Sequence, residues 1–267
     1  MKVVLSIAGS DSGGGAGIQA DIKTFEAHGV FSATAITALT AQNTLGVSGV
    51  FASSPEFVIS QIRSVMDDFD VAAVKIGALL TKEIVDAVRA ELAGYEGHIV
   101  LDPVCVSKAG SPLLEEGAEG ALLELCERAT VVTPNMTEAK KLYGYEIGNS
   151  DSLETLRNIG YPVLVKNHPI KREEGDFCVD ILYDGRNKSI FETPASDSAF
   201  THGAGCSFSS AIAANLALGY HLCEAIARAK RFVYFSIEEG VKAGALGGGK
   251  HPMSHRAGFL SFEQNRY

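Results

Sequence analysis

A chain of 267 residues with 46% apolar side chains can bury a substantial core, and a net charge of −9 argues against a general nucleic-acid binder. Five cysteines, at positions 105, 126, 178, 206 and 223, form no CxxC pair and no Cys/His metal spacing, which points to a reducing, cytoplasmic setting. No apolar run reaches membrane-spanning length, and the short apolar start meets Asp11 and a glycine run too soon for a secretion signal.

Residues 3–8 are continuously apolar, as in a buried parallel strand, and feed the glycine-rich loop 9–17. A helix is predicted over 18–28 with Gly29 as its stop. A second strand over 33–40 ends at Ala41-Gln42-Asn43-Thr44, and 47–51 reads as a short edge strand or small flap. Pro55 opens a helix to 67 with Phe57, Ile62 and Val65 as its inner face. Strand 72–76 ends at Gly77, a helix follows over 81–92, and strand 99–101 closes on Asp102-Pro103. After a helix near 122–127, strand 130–133 closes on Pro134-Asn135, and Thr137 is placed to cap a short helix over 138–142. Strand 162–166 precedes a hairpin, 177–183 with 189–192, across Asp184-Gly185. An apolar helix spans 207–218 and a last long helix 223–239, its stripe of Ala225, Ile226, Ala229, Phe232, Val233 and Ile237 at helical spacing. The glycines of 244–249 read as a mobile loop.

Strands alternating with helices predict an α/β fold, a mostly parallel sheet with helices on both faces. No linker-like boundary or internal repeat interrupts the chain, so a single domain over 1–267 is expected. Polar residues gather where strands end: Asp11, Gln42, Lys75, Asp102, Asn135 and Lys166. Open α/β sheets bind ligands at those ends.

Two familiar patterns are excluded. Residues 15–20 fit a dinucleotide fingerprint with a final alanine, but Thr40-Ala41-Gln42-Asn43 stands where its ribose-binding acid belongs. Residues 244–250 begin like a P-loop, but His251 replaces the metal-binding hydroxyl.

The strand ends allow both plain and functional readings. Asp102 and Glu138 are each a turn or capping residue, or together a pair of carboxylates for Mg²⁺. Lys166 is a solvated charge or a neutraliser of nucleotide phosphate, and Lys75 is a weaker case of the same kind. Gln42 is a turn residue or an amide that pairs with a ring carrying adjacent donor and acceptor groups. Thr201-His202-Gly203-Ala204-Gly205-Cys206 is a glycine-rich turn before a core helix, or a helix N-terminus that receives an anion. In the second reading, Cys206 sits in a field that lowers a thiol pKa.

These stretches in this order resemble the ribokinase superfamily, and within it the hydroxymethylpyrimidine/phosphomethylpyrimidine kinases of thiamin synthesis. The resemblance runs from Ala8 to about Lys230. It rests on residues 8–21, on Thr40 to Thr44, on Asp102-Pro103-Val104, on Thr133-Pro134-Asn135 with Glu138-Ala139, and on 202–206. It implies a ribokinase-like fold with a small β flap and transfer of the ATP γ-phosphate to a hydroxymethyl group on an aromatic ring, then to the monophosphate. By the resemblance, Gly9, Asp21, Gln42 and Val104 belong to the substrate pocket. Asp102 and Glu138 belong to the metal, Lys166, Asn135 and Glu138 to ATP, and Gly203, Ala204, Gly205 and Cys206 to the anion hole and the base. Mg²⁺ and ATP are the implied cofactor and co-substrate, and a homodimer formed through the flap is the implied assembly, with no nucleic-acid or membrane partner.

Three departures stand out. Ala78 replaces a common Met, Asn167-His168-Pro169 replaces Gly-Gly-His after Lys166, and the stretch 143–161 is short, so a helix there is expected to be trimmed. A pyridoxine/pyridoxal kinase and a catalytically silent vitamer-binding protein are the rival readings. Gln42-Asn43-Thr44 favours the pyrimidine, because an amide matches an aminopyrimidine edge.

Overall fold

The computed structural model describes residues 1–106, 113–196 and 198–265. The elements in the first half are β1 (Val3–Asp11), α1 (Gly17–Ala27), β2 (Phe31–Asn43), β3 (Gly46–Ala52), α2 (Pro55–Met66), β4 (Val71–Ile76), α3 (Lys82–Glu91), β5 (His98–Leu101), α4 (Glu119–Cys126) and β6 (Val131–Val132). Then come α5 (Met136–Tyr143), α6 (Ser150–Asn158), β7 (Val163–Arg172), β8 (Gly175–Asp184), β9 (Asn187–Pro194), α7 (Ala204–Ala217), α8 (Leu222–Ala243) and α9 (His255–Gln264).

The strands form a sheet in the order β3-β2-β1-β4-β5-β6-β7-β8-β9. From β2 to β7 neighbouring strands pair in parallel. The edges are antiparallel, with β3 at one side and β8 and β9 at the other. Successive residues of a strand point to opposite faces, so each central strand feeds two cores. Leu5, Ile7, Val74, Ile76 and Leu101 pack with Val58 and Ile62 of α2 and Val85 and Val88 of α3. Val4, Ala73, Val100 and Leu164 pack on the other face with Ile212 of α7, Phe232 of α8 and Phe25 of α1. The expected layering of helices on both faces is therefore present. Among the described residues no helix is long and apolar enough to cross a membrane.

Several local expectations change. Phe57 is 62% exposed and Val58 is buried in its stead, while Ile62 is buried and Val65 packs against the core as expected. Asn135, not Thr137, caps α5, and its side chain and that of Glu138 form a reciprocal capping box. The stretch 143–161 is not trimmed, because α6 occupies it, capped by the Asn149 side chain. A further helix, α9, follows the glycine loop. The glycine loop 244–249 is docked, with Gly249 N–H donating to Thr44 Oγ1 at 3.3 Å. The β7 strand continues well beyond Lys166, and Asn167 adopts φ +64° where its register against β8 shifts. Asparagine tolerates that left-handed conformation, which suits it to this position.

Candidate active site

A cavity of about 370 Å³ opens at the carboxyl ends of the parallel strands. Its wall takes Gly9 and Asp11 from β1, Gln42 from β2, Lys75 from β4, Asp102 and Val104 after β5, Asn135 and Glu138 at the start of α5, Lys166 from β7, and Gly203, Gly205 and Cys206 from the start of α7. The topology thus unites in one cavity most of the residues singled out from the sequence, separated by up to about 200 positions in the chain.

The start of α7 explains one side. Gly203 is the N-cap at φ +79°. A Cβ there would lie 1.8 Å from Gly15 O, so only glycine allows the two loops to touch. No side chain caps this helix, and although Ala204 N–H donates to Thr201 O, a helix start of this kind suits an anion. Ala204 shares this turn but does not reach the wall.

Two buried ion pairs form the floor. Lys166 Nζ donates to Asp102 Oδ1 at 2.8 Å, and both side chains are nearly inaccessible. Lys75 Nζ donates to Asp21 Oδ2 at 2.8 Å, with both fully buried. Burial is the largest influence and opposes the charge of both lysines, yet the surrounding anionic groups, led by Asp21 for Lys75 and by Asp102 with Glu138 for Lys166, together raise both pKa values. Asp21 also accepts from Ser6 Oγ at 2.6 Å and Ser210 Oγ at 2.7 Å. Asp21 is therefore not a wall residue, contrary to the expected ring contact. It lies behind the cavity with its oxygens already engaged, and Lys75 is the group presented.

Glu138 is both a cap and a cavity residue. Its Oε2 accepts from Asn135 N–H at 2.8 Å, while Asn135 Oδ1 accepts from Glu138 N–H at 2.9 Å. Burial, followed by the nearby Asp102 carboxylate, pushes its pKa up to about 7. Asp102 and Glu138 suit Mg²⁺, a hard cation that takes a few carboxylate oxygens and completes its shell with water and phosphate. Among the described residues no cluster of three or more His, Cys, Asp or Glu could hold a metal unaided, so phosphate oxygens would have to complete such a site.

Cys206 corrects the sequence expectation. The helix end was expected to lower its thiol pKa, but burial dominates and pushes it up to about 11, with the Lys75 cation pulling it partly back. Its ground state is a thiol.

The opposite side is built from loops. Gln42 is half-buried, and its backbone N–H donates to Ser12 Oγ while Ser12 Oγ donates to Gln42 O, both at 2.8 Å. Thr40 Oγ1 donates to Gln42 Oε1 at 3.2 Å. Asp11 accepts from Gly13 N–H at 2.8 Å, Gly15 N–H at 3.1 Å, Ala16 N–H at 2.8 Å and His202 Nε2 at 2.9 Å. Sequence reasoning assigned no role to the Asp11–His202 pair. His202 is adjacent to the motif that was found, but its partner lies 191 positions away. Ala78 lines the wall, and its carbonyl accepts from Thr37 Oγ1.

A model of the phosphomethylpyrimidine kinase family matches residues 11–253. The chain is 44% identical over 257 residues to the thiamine biosynthesis bifunctional protein ThiED of Geobacter sulfurreducens, covering 94% of this chain and 52% of that one. It therefore spans about half the length of that relative. It is 41% identical over 266 residues to the hydroxymethylpyrimidine/phosphomethylpyrimidine kinase of Haemophilus influenzae, covering 96% and 97% of the two chains. Its fold matches that of Bacillus subtilis pyridoxal kinase, solved as an ADP complex, with a TM-score of 0.84 and 35% identity, covering 96% of this chain and 98% of that one.

Proposed function

The chain belongs to the phosphomethylpyrimidine kinase family, and on that premise we propose that it transfers the γ-phosphate of ATP to the hydroxymethyl group of 4-amino-5-hydroxymethyl-2-methylpyrimidine, and then to the resulting monophosphate. One observation carries this reading: a single cavity is lined by Gln42 of β2 and, with it, by the start of α7, Lys166, Asp102 and Glu138. A ring and a nucleotide phosphate can therefore meet inside it.

Phosphoryl transfer gives the protein little covalent chemistry, so positioning and charge stabilisation dominate. The N–H groups of Gly205 and Cys206 face charge growing on the transferred group, and Lys166 neutralises phosphate oxygens. Asp102 and Glu138 would hold Mg²⁺, which supplies charge neutralisation on the phosphates. Cys206 is the group placed to take the hydroxymethyl proton. It needs its thiolate form, which Lys75 favours. The Gln42 amide pairs with the aminopyrimidine edge, and Gly9 and Val104 bound the ring.

A second reading, a pyridoxal kinase, is favoured by the similarity to the Bacillus subtilis enzyme and by the small Ala78 side chain on the wall. The same reading of the chain includes a single domain, a cytoplasmic setting, and a homodimer through the flap, whose Leu39, Val50 and Phe51 are at least half exposed. A coupled kinase assay with each ring tests the assignment. Faster turnover of the pyrimidine supports it, faster turnover of pyridoxal replaces it with the second reading, and no ADP release with either ring contradicts both.

A further inference from the structure

The segment 244–252 carries Gly244, Gly247, Gly248 and Gly249, and none of its residues lines the cavity. It nevertheless joins two loops that do. At one end Lys250 N–H donates to Thr44 O at 2.9 Å and Gly249 N–H to Thr44 Oγ1 at 3.3 Å. At the other, His251 N–H donates to Ala199 O at 2.8 Å, and His251 O accepts from His202 N–H at 3.1 Å. The His202 imidazole then donates to Asp11, and Ser12, the next residue, holds the backbone of Gln42 from both sides. Thr44 lies two residues beyond Gln42. The hydrogen bonds close on themselves, from Thr44 through 249–251, His202, Asp11 and Ser12 back to Gln42.

The closure matters because the β2–β3 hairpin is the edge of the sheet. Beyond Gln42 it has one strand partner and an exposed tip, with Leu45 72% accessible. A two-stranded ribbon alone is marginally stable in water. The glycine loop supplies a second support by close approach. A Cβ on Gly249 would stand 2.0 Å from Thr44 O, and one on Gly247 would stand 2.4 Å from Thr44 Oγ1.

We propose that the 247–252 loop fixes Gln42 toward the ring, making Gly249 a specificity-determining position although it does not touch the substrate. The proposal rests on the reading of Gln42 as the ring contact. Gly249→Ala forces Thr44 away and misplaces Gln42 by a fraction of an ångström to an ångström, enough to weaken ring binding roughly ten- to a hundred-fold. Lys166, Asp102 and Glu138 are held by partners outside the loop, so nucleotide affinity should fall far less than ring affinity.

Calorimetry on the intact chain tests this, with hydroxymethylpyrimidine and a non-hydrolysable ATP analogue titrated separately into wild type, Gly249→Ala, Gln42→Ala and the double variant. Each single variant should weaken the ring, the double should bind it no worse than Gln42→Ala, and the analogue should bind Gln42→Ala like wild type and lose far less than the ring in Gly249→Ala. Weakened ring binding by Gln42→Ala but not by Gly249→Ala would overturn the proposal alone, and so would additive losses in the double. Unchanged ring binding by Gln42→Ala would overturn the reading of Gln42 and the proposal with it. If Gly249→Ala does not fold, Thr44→Ala removes the 3.3 Å bond while sparing the backbone. It should then show a smaller shift with the same non-additivity against Gln42→Ala.

Discussion

The two ends of the cavity are held by different physics. At the proposed phosphate end, lysines on the central strands β4 and β7 are paired at 2.8 Å with Asp21 of α1 and with Asp102 after β5, all nearly or fully buried. At the ring end, Gln42 rides on an edge hairpin and is held by loop-to-loop hydrogen bonds, partly open to solvent. Buried pairs are strong and intolerant, because removing one partner leaves an uncompensated charge. Loop contacts are individually weak and adjustable. The contrast suits a kinase whose phosphate chemistry is fixed while its ring preference can vary.

The largest expected effect lies at the phosphate end. Cys206→Ala should lower kcat by about 10²–10⁴-fold with ATP and ring affinities nearly unchanged, since a general base acts only in the transition state. Cys206→Asp should recover part of the loss. Single-turnover kinetics check this, and a normal kcat in Cys206→Ala would return Cys206 to a packing role. Next comes stability. Lys166→Met leaves Asp102 and the Glu138 site without their cation and should cost about 3–5 kcal/mol, read by denaturant unfolding. A comparable cost from truncating Ser12, at the ring end, would erase the contrast. Asp102→Asn should then raise the Mg²⁺ needed for half-maximal rate several-fold while calorimetry shows unchanged ring affinity. Collapse of ring affinity with unchanged Mg²⁺ dependence would remove the metal assignment.

The smallest effect concerns acid. Burial lowers the pKa of His255 to about 4, and its Nε2 lies 2.8 Å from Ser207 Oγ, behind the start of α7. A histidine whose folded pKa is depressed contributes stability above its unfolded value of 6.5, and that contribution is lost as pH falls toward 4. His28, likewise lowered to about 4 by burial, adds to the same acid limb. The melting temperature should therefore fall between pH 6.5 and 4, and His28→Leu should flatten the fall. An unchanged slope in that variant would mean that other groups govern it.

The contrast also explains what the sequence could reveal. Continuous apolar strands, their polar ends and the 201–206 motif are local signals, and they located the sheet, the cavity edge and the start of α7. The capping box of α5 is written in Asn135 and Glu138 at three-residue spacing, and this reciprocal pair takes the place of the Thr137 cap. The thiol of Cys206 was misjudged because burial, a tertiary quantity, outweighs the local helix end. The resemblance assigns Asp21 to the substrate pocket, while its side chain turns behind the cavity to Lys75. The glycine loop read as mobile because its support, Thr44, lies 205 positions away. Ring-end structure depends on such distant partners, so it was the less legible half.

The division of labour between the ends is tested most directly by one ratio, kcat/KM for hydroxymethylpyrimidine over that for pyridoxal. In Gln42→Ala the ratio should fall about ten- to a hundred-fold, the cost of losing a buried hydrogen-bonded pair of about 1–3 kcal/mol. In Cys206→Ala both values should fall together and leave the ratio unchanged. Equal losses on both rings in Gln42→Ala, or a changed ratio in Cys206→Ala, would contradict the account.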